Sequence, residues 1–252
     1  MWSTRIMEYR VMKIIKTGIV NLHDITLQEA CVCIVDYIER PGLDIVVTPN
    51  IDHCARLVKD GDVALKKIYQ DASLCLCDSR VLQKMLRLKG HLVAEVITGS
   101  TLTAQLFSGN GMFNKRIFIL GSDPAVIAKV KLKYPEHDFY HYNPPMGFIN
   151  NSEEVTNAIQ AIKQTAPDVI FLAVGSPRQE LFAGMLKSEL NHGVVLCIGA
   201  SILFLVGEEK RAPVWLQQLH IEWLYRMLQN PRVLIKRYFD NFLQIKRIYL
   251  AL

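Results

Sequence analysis

Continuous apolar runs that alternate with helical patterns constrain this chain more than any other feature. The runs are Asp44 to Thr48, Leu74 to Cys77, Arg116 to Leu120, Asp168 to Val174 and Val194 to Ile198. They lack the apolar–polar alternation of a half-exposed strand, so they suit strands covered on both faces. Residues 26–39, 51–60, 79–89, 101–108, 124–133, 152–165 and 178–189 carry helical spacing around them. Strand–helix alternation of this kind predicts an α/β fold, with a Rossmann-like parallel sheet flanked by helices. The length of 252 residues suits one large domain, or one domain plus an appendage.

After Ile198 the pattern changes. Gly199 to Gly207 reads as a small, apolar, turn-rich segment. Pro213 is placed to open a helix running to about Leu228, and Pro231 to open another. Along the last helix Leu234, Tyr238, Phe242 and Ile245 form a stripe, flanked by Arg232, Lys236, Arg237 and Lys246. We therefore expect residues 1–207 to form the Rossmann-like domain and residues 208–252 a helical, basic C-terminal appendage.

Charge supports that division. The chain carries a formal net charge of +5. From Arg226 onward there are six Lys/Arg and one acid, Asp240, so the tail alone carries as much. A basic, aromatic helix favours phosphate or an anionic membrane surface. The alternative is a core-packing helix with a solvated basic face.

No apolar run approaches the roughly 18 residues of a membrane-spanning helix. Met1 to Arg5 lacks the apolar stretch of a secretory signal, so a cytosolic location is expected. The six cysteines are Cys31, Cys33, Cys54, Cys75, Cys77 and Cys197. Their C-x-C pairs fit a helix and a strand better than a zinc site, and we read them as reduced, mostly buried thiols.

In open α/β sheets ligands bind beyond the carboxyl ends of the strands. Five segments fall there: Thr48-Pro49-Asn50-Ile51-Asp52, Asp78-Ser79-Arg80, Gly121-Ser122-Asp123-Pro124, Gly175 to Glu180, and Gly199-Ala200-Ser201. Exposed backbone N–H groups at such helix starts can hold phosphate. Asp78 is a candidate general base at the mouth of the sheet, or else an ordinary helix cap. Gly121 to Pro124 is a weak phosphate-loop signal, equally explained by Asp123 capping a helix with Pro124 at its first position. Gly175 to Glu180 offers a tight turn followed by amide, cation and carboxylate. It suits a sugar or nucleobase, or a solvated first helical turn.

Taken together, the motifs resemble the WecB/TagA/CpsF family of bacterial glycosyltransferases from Thr48 to about Tyr238. The G-x-P-x-Q-E hallmark stands as Gly175, Pro177, Gln179 and Glu180. Lys210 to Trp215 matches K-R-A-P-x-W, Glu222 to Arg226 matches E-W-L-Y-R, and Pro144 to Phe148 matches P-P-x-G-F. The resemblance implies inverting, metal-independent transfer of a sugar from a UDP-sugar, without a cofactor. The acceptor it implies is a sugar on a polyprenyl-diphosphate lipid at the inner face of the plasma membrane. The products of such enzymes feed teichoic acid linkers, capsule or exopolysaccharide. By the same resemblance Asp78 is the catalytic residue, Thr48 and Asn50 lie near it, and the basic appendage joins membrane association to completion of the site.

This chain also departs from the family pattern. Ser79 replaces the usual Gly after the catalytic Asp, and Asp52 the usual Glu after T-x-N. Val96-Ile97-Thr98-Gly99-Ser100-Thr101-Leu102 lacks an Arg and an Asp, and Ala200-Ser201-Ile202-Leu203-Phe204 lacks another Asp. Lost charges near a site alter which sugar groups are paired, which leaves N-acetylmannosamine, its uronic acid and glucuronic acid all open. The mechanism expected is direct displacement. Asp78 takes the acceptor proton, backbone N–H groups with Arg211 and Arg226 stabilise the departing UDP, and Gly121 and Gly175 to Glu180 contribute to binding.

The partners expected are the donor, the lipid-linked acceptor and an anionic membrane surface, without nucleic acid; a homo-oligomer is left open. Two other classes compete with this reading. A nicotinamide-dependent oxidoreductase is disfavoured by the missing G-x-G-x-x-G. A non-catalytic membrane scaffold is allowed by the departures.

Overall fold

The computed structural model describes residues 12–209 and 231–252. Its centre is a six-stranded, all-parallel sheet. The strands are β3 (Asp44–Val47), β4 (Leu74–Cys75), β5 (Arg116–Leu120), β6 (Asp138–Tyr142), β7 (Val169–Leu172) and β8 (Val194–Cys197), in spatial order β4-β3-β8-β7-β5-β6. A small antiparallel hairpin, β1 (Ile14–Lys16) and β2 (Asn21–His23), precedes it.

The side chains show why the runs are continuously apolar. Ile45, Val47, Phe118, Leu120, Ile170, Leu172, Val195 and Cys197 feed one core. Their neighbours Val46, Ile117, Ile119, Val169, Phe171, Val194 and Leu196 feed the other. Successive residues point to opposite faces, and both faces are covered. The first core is closed by α2 (Ile51–Asp60), α3 (Val63–Asp71), α4 (Arg80–Leu88), α7 (Ser152–Thr165) and α8 (Arg178–Leu186). The second is closed by α1 (Leu27–Glu39), α5 (Gly99–Ser108), α6 (Pro124–Lys133) and α9 (Ser201–Leu205).

Helix starts follow their caps. Thr26 and Glu29 form a capping box on α1, Asn50 caps α2, Ser79 caps α4 and Thr98 caps α5. Asp123 caps α6 with Pro124 in its first turn, as the sequence allowed.

The last helix, α10 (Pro231–Ala251), lies along α2. Ile248 and Leu252 are buried in the same core as Ile15 and Leu22, and Ala251 O accepts from Gly18 N at 2.8 Å. This divides the expected stripe. Ile245 packs inward, whereas Phe242 faces outward together with Ile235, Phe239, Leu243 and Leu250. The reason is that α10 meets α2 along the face carrying Asn241, Ile245 and Ile248, so the opposite face is left outside. The segment Gly199 to Gly207, read as turns, contains the short helix α9. The helix expected from Pro213 lies outside the described residues.

Candidate active site

Asp78 stands three residues beyond the end of β4. The ladder between β3 and β4 continues past both strands, since Leu76 N donates to Val47 O and Asp78 N to Pro49 O at 3.0 Å. On the other side Ile97 N donates to Cys77 O at 2.9 Å. The backbone at Asp78 is therefore held between two segments. The helix cap belongs to Ser79, whose hydroxyl accepts from Leu82 N, so capping does not account for Asp78. Instead Asp78 Oδ2 accepts from Gly99 N, the first residue of α5, at 3.3 Å.

Gly99 is where the site closes up. A Cβ at Gly99 would lie 3.1 Å from Ser201 Oγ and 3.3 Å from Thr48 Oγ1. Glycine permits this approach because it has no side chain to exclude. Thr48 and Ser201 are buried at the carboxyl ends of neighbouring strands β3 and β8. Ser201 Oγ donates to Ile198 O, and Thr48 comes directly after Val47. Two hydroxyls, one carboxylate and the start of α5 thus meet beyond the sheet.

Gly199 has φ of 54°, and its N–H donates to Gln179 Oε1 at 2.8 Å. Gln179 Nε2 in turn donates to Glu180 Oε1 at 2.8 Å. The two residues are 4% and 1% exposed, which overturns the solvated-turn alternative for Gln179 and Glu180. They bind the start of α8 to the end of β8. Ahead of them Gly175 takes φ of 75°, and the Ser176–Pro177 bond is cis. The Tyr69 hydroxyl on α3 faces Ser176 and Glu180 closely enough to feel both, with burial raising its pKa well above the usual value. That hydroxyl and Glu180 Oε2 nevertheless fall outside hydrogen-bond geometry.

Asn50 Oδ1 accepts from Asp52 N and His53 N, so its carbonyl end is engaged in capping α2. Gly121 has φ of 89°, and its N–H donates to Tyr142 O. A Cβ there would lie 2.7 Å from Val174 Cγ1, so Gly121 brings the β5 loop against the end of β7. Arg211 and Arg226 lie outside the described residues.

Arg56 and Asn241 escaped sequence reasoning as partners of this region. Arg56 on α2 donates from NH1 to Ser176 Oγ at 2.7 Å and pairs through NH2 with Asp52 at 3.5 Å. Asp52 Oδ1 accepts from Asn241 Nδ2 on α10 at 3.2 Å. The spacing of Asp52 and Arg56, four apart at a helix start, was the available signal. The cysteines are free thiols, and burial pushes those of Cys54 and Cys77 up to about 12. Among the described residues no group of three His, Cys, Asp or Glu is placed to hold a metal ion.

An open parallel sheet with a carboxylate and hydroxyls gathered at its carboxyl edge defines an α/β enzyme of the Rossmann-like class. The model of the glycosyl transferase WecG/TagA/CpsF family matches residues 15–251, and the chain belongs to that family of glycosyltransferases. Three relatives bear the name N-acetylglucosaminyldiphosphoundecaprenol N-acetyl-beta-D-mannosaminyltransferase. The chain is 27% identical to the one from Bacillus subtilis (strain 168) over 206 residues, 78% of each chain. It is 30% identical to that of Bacillus spizizenii (strain ATCC 23059 / NRRL B-14472 / W23) over 65% of this chain and 63% of the relative. It is 28% identical to that of Staphylococcus aureus (strain MW2) over 66% and 65% respectively. Among the described residues no helix is long and apolar enough to cross a membrane.

Proposed function

We propose that the protein is an inverting, metal-independent transferase. It moves N-acetylmannosamine from its UDP donor to N-acetylglucosamine on a polyprenyl diphosphate, at the inner face of the plasma membrane. The observation that carries this is Asp78, backbone-clamped at the mouth of the sheet with Gly99 N on its carboxylate and Thr48 and Ser201 beside Gly99. The relatives' names favour N-acetylmannosamine over the uronic acids.

In this reading Asp78 takes the proton of the acceptor hydroxyl as its oxygen bonds to the anomeric carbon. The bond from that carbon to the diphosphate oxygen breaks on the opposite face, and UDP leaves with the electron pair. The Gly99 N–H keeps the carboxylate aimed. Thr48 and the amide nitrogen of Asn50 orient the reacting sugar. Gln179 and Glu180 act by fixing the Gly199 loop, while Gly121, Gly175 and Pro177 shape the rim. Arg211 and Arg226 balance the charge of the departing diphosphate. The appendage, from about residue 208, meets an anionic membrane through the outward face of α10, where exposed Phe239, Phe242, Leu243 and Leu250 accompany Lys246 and Arg247.

The test is transfer from UDP-N-acetylmannosamine to a lipid-diphosphate N-acetylglucosamine analogue with EDTA present. Asp78→Asn should lower kcat by about 10²- to 10⁴-fold, the usual contribution of a general base. Full activity in this variant would remove Asp78 from the mechanism. Strict dependence on a divalent metal would remove the arginines from their leaving-group role.

A further inference from the structure

A chain of polar contacts runs from the C-terminal helix to the turn before α8. Asn241 is buried on α10 and donates to Asp52 Oδ1 at 3.2 Å. Asp52 Oδ2 pairs with Arg56 NH2 at 3.5 Å, and Arg56 NH1 donates to Ser176 Oγ at 2.7 Å. The Asp52 and Arg56 side chains are 12% and 25% exposed, so water screens this pair less than a surface pair. Ser176 lies in the turn that leads directly into Gln179 and Glu180, and Gln179 holds Gly199.

The inner side of this turn is loosely tied. Tyr69 Oη and Glu180 Oε2 face the same region but fall outside hydrogen-bond geometry. The Ser176 hydroxyl is instead gripped from outside by Arg56. A guanidinium suits this task, because its planar fork can bond a carboxylate and a hydroxyl at once in fixed directions.

We propose that Arg56 and Asp52 are positioning residues through which the docked C-terminal helix holds the Gly175–Pro177 turn in the shape that receives the donor. The assignment of that turn to the donor side rests on the function proposed above. The linkage itself does not, since it is a statement about which segments move together. Loss of the Asn241 contact removes a tie between α10 and the Asp52–Arg56 pair that reaches Ser176. Loosening at α10 thereby reaches a turn more than sixty residues earlier in the chain.

The experiment uses full-length Asn241→Leu, Arg56→Ala, Arg56→Lys and the Asn241→Leu/Arg56→Ala double variant. Hydrogen exchange is read at residues 175–181 and 231–245, and steady-state constants are measured for UDP-N-acetylmannosamine and the lipid acceptor. Asn241→Leu should speed exchange at residues 175–181 as well as in α10. It should also raise the donor KM about three- to tenfold, as expected for coupled residues, with acceptor KM unchanged. Arg56→Lys should match Arg56→Ala at the turn, because a lysine cannot bridge both partners. The double variant should be no worse than Arg56→Ala alone. Exchange changes confined to α10, or donor KM effects that multiply in the double variant, would overturn the linkage. If the wild type transfers no sugar, the function proposed above fails, while the exchange data still decide the linkage.

Discussion

Gly99→Ala separates stability from activity at this site. The added Cβ would meet Ser201 Oγ at 3.1 Å and Thr48 Oγ1 at 3.3 Å, where ordinary contacts begin at 3.4 Å. The neighbours must therefore give by a few tenths of an ångström. Relief of glycine's backbone entropy at a helical position contributes about 0.4–1 kcal/mol of stability. Modest overpacking costs about 1 kcal/mol, the low end of its range. The two effects nearly cancel, so the melting temperature should move by no more than about 2–4 °C. Catalysis should feel the change more. A misplacement of about 1 Å costs on the order of 10²-fold, so a third of that distance scales to about fivefold in kcat. The Asp78 contact with Gly99 N, already 3.3 Å long, would be the first to loosen. The assay pairs thermal unfolding with initial rates of sugar transfer at saturating donor and acceptor. Unchanged kcat in a variant with unchanged melting temperature would refute the convergence of Thr48, Ser201 and Asp78 on the reacting centre.

Two further outcomes are expected. Burial lowers the pKa of His23 from its ordinary 6.5, and its Nδ1 accepts from Cys75 N, so the folded state holds it neutral. The unfolded chain binds the proton more readily, so stability is complete above about pH 6.5 and declines as pH falls below it, by up to about 1.4 kcal/mol per pH unit. His23→Asn keeps an acceptor without that titration. Urea midpoints between pH 7 and 5 should therefore fall less steeply in the variant, leaving the part due to His137, whose pKa burial also lowers; an equal slope would exclude His23. Phe239→Glu/Phe242→Glu changes only outward residues of α10, which keeps Ile248 in the core. It should cut co-sedimentation with anionic liposomes by tenfold or more, on the order of 1.4 kcal/mol. Equal binding would rule out this face of α10 as a membrane contact.

The sheet was legible where its strands are buried on both sides. Val194 to Cys197 and Val169 to Leu172 feed two cores with successive residues, as strands covered on both faces do. Strand β6 was not legible, because Asp138–Tyr142 is an edge strand whose half-exposed His141 and Tyr142 break the apolar run. The three-residue strands of the hairpin are too short to show a period. In the candidate site, Thr48 and Asp78 could be singled out because ligands collect at strand ends. Arg56 offered only its four-residue spacing from Asp52, because its contact with Ser176 joins residues 120 apart in the chain. The burial of Gln179 and Glu180 was equally hidden, since charge and amide at a helix start read as solvated until the neighbouring strand is in position.

The hydrogen bonds that flank Asp78 have a consequence for its motion. A carboxylate on an unsupported loop samples many directions within nanoseconds, and only a fraction of encounters finds it aimed correctly. Here Pro49 O holds Asp78 N, and Cys77 O is engaged by Ile97 N, so the peptide moves with the sheet. If Asp78 is the base proposed above, the acceptor meets a carboxylate whose backbone is already held, and the wait for a productive encounter is set by the acceptor's own approach.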